Sequence, residues 1–453
     1  MSYQFSKYET HYRNLTYLGV PIIIGQLGNL ILNFADTLMI GHHSTEELAA
    51  AAFVNNMFTL VIIFAIGFTY AITALVGILY GQDKTHRIGE VMKSATAANT
   101  CMAILLSVIM IVLYLNIHRL GQPEELLPLI RPYFLIQLVS LPFVCWFNTF
   151  RQFTDGITDT KVAMWILVAG NVMNIFGNWI LIYGHLGLPE LGLIGAGLST
   201  MISRIVMAIV MVGIFFFSKK YSEYKKGWSM GAVKYADFKK ITVLGIPLAL
   251  QMGMETAAFS LSSLMVGWFG TESLAAHQVM LTISQLGYMI YYGLAAAVAV
   301  RISNFMGQRD YLAVRRTATA GIHLVFLLAI LTSVPIFICR HIIGGLFTDN
   351  INVISMVSMT IIPFMIYQFG DGLQCNYANA MRGTANVRPL IWIAFISFFV
   401  VSLPLGYLFG VVMNYQLVGV WYAFPFGLTL SGILYYIYYQ KGLKKIEDAS
   451  SSK

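Results

Sequence analysis

Residues 16–40 read TYLGVPIIIGQLGNLILNFADTLMI, a run of mostly apolar residues with one charge, Asp36. An α-helix rises 1.5 Å per residue, so about 20 such residues cross the hydrocarbon core of a bilayer. The stretch is too long for the apolar segment of a signal peptide and lacks a small-residue cleavage site, so it is expected to stay as a first membrane helix. Eleven similar stretches follow, at roughly 50–80, 94–117, 131–152, 162–184, 192–217, 241–267, 275–306, 314–339, 353–381, 388–411 and 416–439. Composition agrees. The chain is 58% hydrophobic and 11% charged, with a mean hydropathy of +0.72. A soluble domain carries about 25% charge; the charge here is too sparse to coat such a fold, and lipid must replace water over much of the surface. The fold class expected is an all-α membrane protein of twelve transmembrane helices.

The basic residues assign sides. Of the 28 Lys and Arg, about 23 fall in the N-terminus, the even-numbered loops and the C-terminus. The remaining loops hold Arg119, Arg131 and Arg340, while Arg204 and Arg301 lie inside spans. Lys and Arg in short loops mark the cytoplasmic face, so both termini are expected there, in a multi-pass protein of a bacterial inner membrane. The net charge of +8 then reports topology and contact with anionic lipid headgroups, and nucleic acid is not an expected partner. The most basic loop, Ser218–Lys240, falls at the middle of the chain and reads as a solvated linker. The four cysteines, Cys101, Cys145, Cys339 and Cys375, have no CxxC spacing and read as buried free thiols.

A shift of 226 residues lays the chain on itself. Leu18-Gly19-Val20-Pro21 falls on Leu244-Gly245-Ile246-Pro247, Met39 and Gly41 on Met265 and Gly267, and Gly81-Gln82 on Gly307-Gln308. The loop residues Thr45-Glu46 and Leu48-Ala49-Ala50 fall on Thr271-Glu272 and Leu274-Ala275-Ala276. About 16 of roughly 65 ungapped positions are identical, with Gly, Pro and polar residues among them. This is a tandem duplication of a six-helix unit, with the expected divisions 1–218, 219–240 (the basic linker) and 241–453. An even number of spans gives the halves parallel topology, an arrangement in which transporters place their site between repeats. Pro21 and Pro247 occupy equivalent places in the first and seventh spans, where each removes a backbone hydrogen bond and can bend the helix.

Three acids lie inside spans: Asp36, Glu255 and Asp371. A charge at mid-bilayer costs roughly 2.5–3.5 kcal/mol on insertion scales, and such residues bind or relay ions more often than not. Asp371 is flanked by Gly370 and Gly372, and Tyr367 shares its helix face one turn before it. If the seventh and tenth spans meet, Glu255, Asp371 and Tyr367 form an oxygen-rich pocket able to hold a monovalent cation such as Na⁺ or to share a proton. In the N-terminal half, Asp36 with Asn174 and Asn178 of the fifth span, and Asn171 one turn earlier, can form a second polar site. Interhelical amide bonding is the plainer reading of the asparagines. Arg204, Arg301 and His323 read as structural.

These residues together resemble the multidrug and toxic compound extrusion (MATE) family, in its bacterial NorM-type branch. The likeness runs from about Leu15 to Tyr439. It is carried by Gly19-Val20-Pro21 with Asp36-Thr37-Leu38-Met39-Ile40-Gly41, by Asn174, Asn178, Trp179 and Ile182-Tyr183-Gly184, and by Gly245-Ile246-Pro247, Met254-Glu255 and Ala275-Ala276-His277-Gln278. It implies two six-helix bundles facing a central cavity and alternating access. The implied activity is export of amphipathic, often cationic drugs, driven by inward Na⁺ or H⁺; no cofactor is expected, and because one chain supplies both halves a monomer is the expected unit. In the NorM-type branch the positions matching Glu255, Tyr367 and Asp371 form a cation site, and those matching Asp36, Asn174 and Asn178 form the N-lobe site. The DinF-like branch lacks the Glu255 and Asp371 pair, and the NorM-type likeness favours Na⁺. Ala196 departs from the pattern, since some relatives carry a hydroxyl there.

Rival readings are weaker. A lipid-linked oligosaccharide flippase of the same superfamily would favour a cationic cavity, whereas the membrane acids here point the other way. Gly370-Asp371 superficially resembles an intramembrane aspartyl protease motif, but position 368 is Gln and no Tyr-Asp pair precedes it in a span. HExxH and phosphate-cradling glycine motifs are absent, so neither an enzyme nor ATP-driven transport is expected.

Overall fold

The computed structural model describes residues 7–119 and 123–451, so the outermost residues of the divisions expected from the repeat lie outside it. Among the described residues twelve helices are long and apolar enough to cross a membrane. The first six are α1 Glu9–His43, α2 Thr45–Gly81, α3 Thr85–Leu115, α4 Leu127–Gly156, α5 Thr160–Tyr183 and α6 Gly192–Phe217. The second six are α7 Tyr235–Gly267, α8 Thr271–Gln308, α9 Tyr311–Ile338, α10 Ile351–Gly383, α11 Arg388–Val412 and α12 Gln416–Ser451. No strand occurs among the described residues. All twelve expected spans are present. A backbone in lipid must satisfy its own hydrogen bonds, and helices do so within one segment.

The ends carry local stop and start signals. Ser44 caps α2 by accepting from the Glu47 amide, Asp310 caps α9 by accepting from the Ala313 amide at 2.9 Å, and Gly184 ends α5 in the left-handed conformation. In α11 two segments, Phe395–Ser402 and Leu408–Val412, are π-helical and flank a short α-helical piece containing Pro404. Proline lacks the amide hydrogen that would continue the regular ladder, and the slip to a wider turn accommodates that loss.

Packing divides the chain differently from the expected 1–218 and 241–453 lobes. One unit is residues 24–249; the other is 1–23 with 250–453. The two breaks, after Ile23 and after Ala249, are themselves 226 residues apart, and each follows a helix proline by two residues. Paired glycine contacts explain this. A Cβ on Gly19 of α1 would lie 3.3 Å from the Leu294 backbone of α8, and one on Gly293 would lie 2.9 Å from the Ile23 nitrogen. Their repeat counterparts make the counterpart contacts. Gly245 of α7 lies against the Phe68 carbonyl of α2, and Gly67 against the backbone of Ala249. The N-terminal halves of α1 and α7 therefore each pack with the second helix of the other repeat. Both helices run unbroken through Pro21 and Pro247.

Within the unit 24–249, the basic linker is more structured than a solvated loop. Residues Ser222–Met230 form a helix whose Gly227 meets the His86 backbone, while Gly89 of α3 meets the Tyr224 carbonyl and the Trp228 nitrogen. Arg87 of α3 bonds Glu90 at 2.7 Å and Asp237 at 2.6 Å, and Lys234 closes on Glu90 at 2.6 Å. The Lys93 ammonium donates to the Gly231 carbonyl at 2.8 Å. Tyr221 is buried and donates to Asp159; burial pushes its phenol well above the ordinary range. Sequence polarity alone could not distinguish this docked helix from a loop, because its contact is made by glycine backbone. The cysteines are all free, but only Cys145 and Cys375 are buried; Cys101 on α3 and Cys339, just past the end of α9, are exposed, because faces turned toward lipid are also apolar.

In an exposed helix, Gly→Ala stabilises by about 1 kcal/mol. Gly227→Ala reverses that sign here, because the added methyl meets the His86 backbone. Its expected cost is about 1–3 kcal/mol, read as a lower thermal midpoint followed through Trp228 fluorescence. A raised midpoint would contradict the docking of the linker helix on α3.

Candidate functional site

Both candidate polar sites form, one in each unit. In the unit 1–23 with 250–453, α7 brings Glu255 and α10 brings Tyr367 and Asp371. The Glu255 carboxylate Oε2 accepts from the Gln251 amide one turn earlier at 3.0 Å and from the Gln374 amide of α10 at 3.2 Å. Glu255 is partly accessible, whereas Asp371 is 1% exposed and its Oδ2 has no hydrogen-bond partner. The two carboxylates act on each other as like charges, and Tyr367 lies in the field of both. Among the described residues neither acid makes a salt bridge.

Small residues make room for this arrangement. Gly370 lies against Leu428 and Thr429 of α12, and Gly372 against Val325 of α9. A side chain at either position would push the α10 segment carrying Asp371 away from its neighbours. Tyr367 faces Ser284 of α8 and sits in an aromatic cluster. Its ring centroid is 5.7 Å from Trp421, 5.9 Å from Phe364 and 6.4 Å from Phe259.

In the unit 24–249, Asp36 of α1 accepts from the Asn178 amide of α5 at 2.5 Å. Asn174 donates to Thr200 of α6 at 3.1 Å, and Asn171 donates to Asn29 of α1 at 3.3 Å. Asn174 Oδ1 and Asn178 Oδ1 are buried without donors. Thr200 lies one helical turn after Ala196, so the hydroxyl that the sequence lacks at 196 is supplied on the same helix face. Arg204, also on α6, donates to Gln137 and Ser140 of α4, both at 2.8 Å, and its charge reaches Asp36. In the other unit, Arg301 stacks over Phe305 at 4.5 Å and His323 bonds Tyr12 at 2.8 Å, so these two are tied into the packing.

Three polar partners were missed in the sequence: Gln251, Gln374 and Thr200. Each lies in a span, within one turn of a residue that was singled out, and that proximity was the available signal. In chemical terms, the α7–α10 pocket is an uncompensated pair of carboxylates beside a phenol. It can hold a hard cation between oxygens or one proton between two acids. The Asp36 site differs in having a guanidinium, that of Arg204, whose charge reaches its carboxylate.

The MatE family model matches residues 21–180 and 247–408, well over half of the chain, in two segments that begin at Pro21 and Pro247. The chain is 29% identical over 433 residues to the "Probable multidrug resistance protein NorM" of Photorhabdus laumondii, covering 94% of each chain. It is 27% identical to the protein of the same name from Mannheimia succiniciproducens, covering 99% of this chain and 98% of that one. In fold it is similar to a mutant of the Vibrio cholerae MATE transporter VcmN, with a TM-score of 0.88 at 17% identity over 97% of this chain and 98% of that chain. It is equally similar to a MOP superfamily transporter from Pyrococcus furiosus, with a TM-score of 0.88 at 18% identity over 96% of each. With its twelve membrane helices, its internal duplication and a family model that matches both repeats, this chain belongs to the MatE family of multidrug transporters.

Proposed function

We propose that this protein exports amphipathic, cationic organic compounds in exchange for Na⁺, with H⁺ as the alternative coupling ion, and that Glu255, Asp371 and Tyr367 hold the ion. The observation that carries this reading is a pair of membrane carboxylates, Asp371 buried and Glu255 half-buried, with no salt bridge among the described residues, the buried one with an oxygen left without a partner. Such a pair is stable only with a cation or a proton present.

The two acids have different parts. Glu255 is partly accessible and already holds two amide donors, so it receives the incoming ion. Asp371 is fully buried, and its unpartnered Oδ2 supplies the second charge, with the Tyr367 oxygen as a neutral ligand. The fixed amides of Gln251 and Gln374 hold Glu255 in place without neutralising it. When the ion leaves, two like charges remain in a low-dielectric site, and a cationic drug relieves that repulsion in its place. Drug and ion then exclude one another. Exchange follows if each prefers a different state of the transporter, since a ligand shifts an equilibrium only by its differential affinity. Asp36, Asn174 and Asn178 form a second polar site in the N-terminal repeat, and Pro21 and Pro247 give α1 and α7 their points of bending. The distribution of Lys and Arg supports cytoplasmic termini in a bacterial inner membrane, and one chain supplies both repeats, so the working unit is a monomer.

In proteoliposomes at clamped pH and voltage, an imposed Na⁺ gradient is expected to drive a fluorescent cationic drug across the membrane. Glu255→Gln and Asp371→Asn are each expected to lower that flux at least a hundredfold while leaving the protein folded. Normal coupled flux in both variants would remove this account, and a response to a pH gradient alone would assign the ion as H⁺. In a background with Cys101 and Cys339 replaced by Ser, cysteines introduced at Ser229 and Ala236 are expected to react with an impermeant maleimide only from the cytoplasmic side. Labelling in intact cells would invert the topology.

A further inference from the structure

His277 lies on α8, outside the ion pocket, and is completely buried. Its Nδ1 accepts from the Trp421 indole nitrogen of α12 at 3.0 Å. Its Nε2 is 3.0 Å from the Ser263 hydroxyl of α7, whose own hydrogen goes to the Phe259 carbonyl at 3.1 Å. Ser263 must therefore accept, and His277 must donate from Nε2. Each partner allows one tautomer, and it is the same one: a neutral ring with its hydrogen on Nε2. Both ring nitrogens are thereby used in bridging α7 to α12.

What the bridge ties is specific. Glu255, Phe259 and Ser263 follow one another at four-residue intervals on α7, so the tied face is the one that carries the ion-binding acid. At the other end, Trp421 packs on Tyr367 and Phe364 of α10 and on Phe424, with centroid separations of 5.7, 6.2 and 5.3 Å. Phe259 contacts Tyr367 and Phe424 as well. The bridge thus joins the helix of Glu255 to the aromatic wall behind Tyr367. The duplication gives an independent reason to link it to the pocket. In the 226-residue register Glu255 falls on Asn29 and His277 on Ala51. The repeat that lacks a carboxylate at the position of Glu255 also lacks the histidine.

We propose that His277 is a positioning residue for the coupling site. Through Ser263 and Trp421 it fixes the distance between the Glu255 face of α7 and the Tyr367 ring of α10, and so sets the affinity for the coupling ion. The inference rests on the reading of Glu255, Asp371 and Tyr367 as the ion site. Residues that orient metal ligands from behind commonly change ion affinity 10–100-fold when replaced.

The test compares His277→Leu, which removes both hydrogen bonds, with His277→Gln, whose amide can accept from Trp421 and donate to Ser263. The first readout is the fluorine resonance of fluorotyrosine placed at Tyr367, recorded without any coupling ion. The second is Na⁺ affinity of the purified protein by calorimetry. In the leucine variant the resonance is expected to move and Na⁺ affinity to fall about tenfold; the glutamine variant is expected to recover both. A resonance unchanged in His277→Leu overturns the proposal, as does an equal loss in both variants, which would signify bulk rather than hydrogen bonding. If leucine does not fold, Ser263→Ala removes the other partner of His277 and leaves the rings around Tyr367 in place, and an unmoved resonance there has the same force. A wild-type protein that binds no Na⁺ counts against the ion-site reading, while the resonance still decides whether His277 positions Tyr367.

Discussion

A carboxylate inside a bilayer needs a hydrogen-bond donor, a proton or a cation, and the C-terminal repeat of this protein provides the first need only in part. Glu255 takes two amide hydrogens; Asp371, one helix away and more deeply buried, has an oxygen with no partner. The surroundings follow from this shortage. Gly370 and Gly372 let α9 and α12 close around the α10 segment that carries Asp371. The packed rings of Phe364, Phe424 and Trp421 surround Tyr367 and keep the pocket in a low dielectric. Low dielectric strengthens the repulsion between the two acids and the attraction of either for a cation. Retaining two such charges carries a standing cost in stability, which under the proposed exchange is recovered as coupling.

The duplication makes this clearer by contrast. Where α7 has Glu255, the equivalent position of α1 has Asn29, which pairs with another amide. The acid of the N-terminal repeat, Asp36, is placed elsewhere along its helix, against Asn178 and within reach of the Arg204 charge. Two copies of one six-helix unit have kept their backbone contacts, seen in the matched pairs Gly19 with Leu294 and Gly245 with Phe68, while their polar chemistry has diverged. The duplicated scaffold lets the first halves of α1 and α7 pack with the opposite repeat, so each of these helices belongs to both units.

How far the sequence could be read depended on the scale of the physics involved. The spans were legible because crossing lipid demands a long apolar run, a signal that no local context disguises. The repeat was legible because Gly, Pro and loop residues matched in register. Glu255, Asp371 and Asp36 stood out because charge inside a span is costly. The exchanged halves of α1 and α7 were not legible, since the contacts that produce them are made by glycine backbone on either side of a continuous helix. The docked linker was hidden for the same reason, with Gly89 and Gly227 surrounded by charges that read as solvent-facing. Gln251, Gln374 and Thr200 were overlooked because a single neutral polar residue in a span is common, and its partner is decided by which helices meet. Cys101 and Cys339 lay in apolar stretches, but such stretches have a lipid face as well as a core face.

The account stands or falls on whether one ion and one cationic drug compete for the charge of Glu255 and Asp371. The direct measurement is equilibrium binding of radiolabelled Na⁺ to the purified protein in nanodiscs, titrated with a cationic drug at fixed pH. Stoichiometric release of Na⁺ as the drug binds, with neither ligand retained by the Glu255→Gln, Asp371→Asn double variant, is the result expected. Saturation by drug with Na⁺ still bound at unchanged affinity would show that the two ligands do not share these carboxylates, and would contradict it.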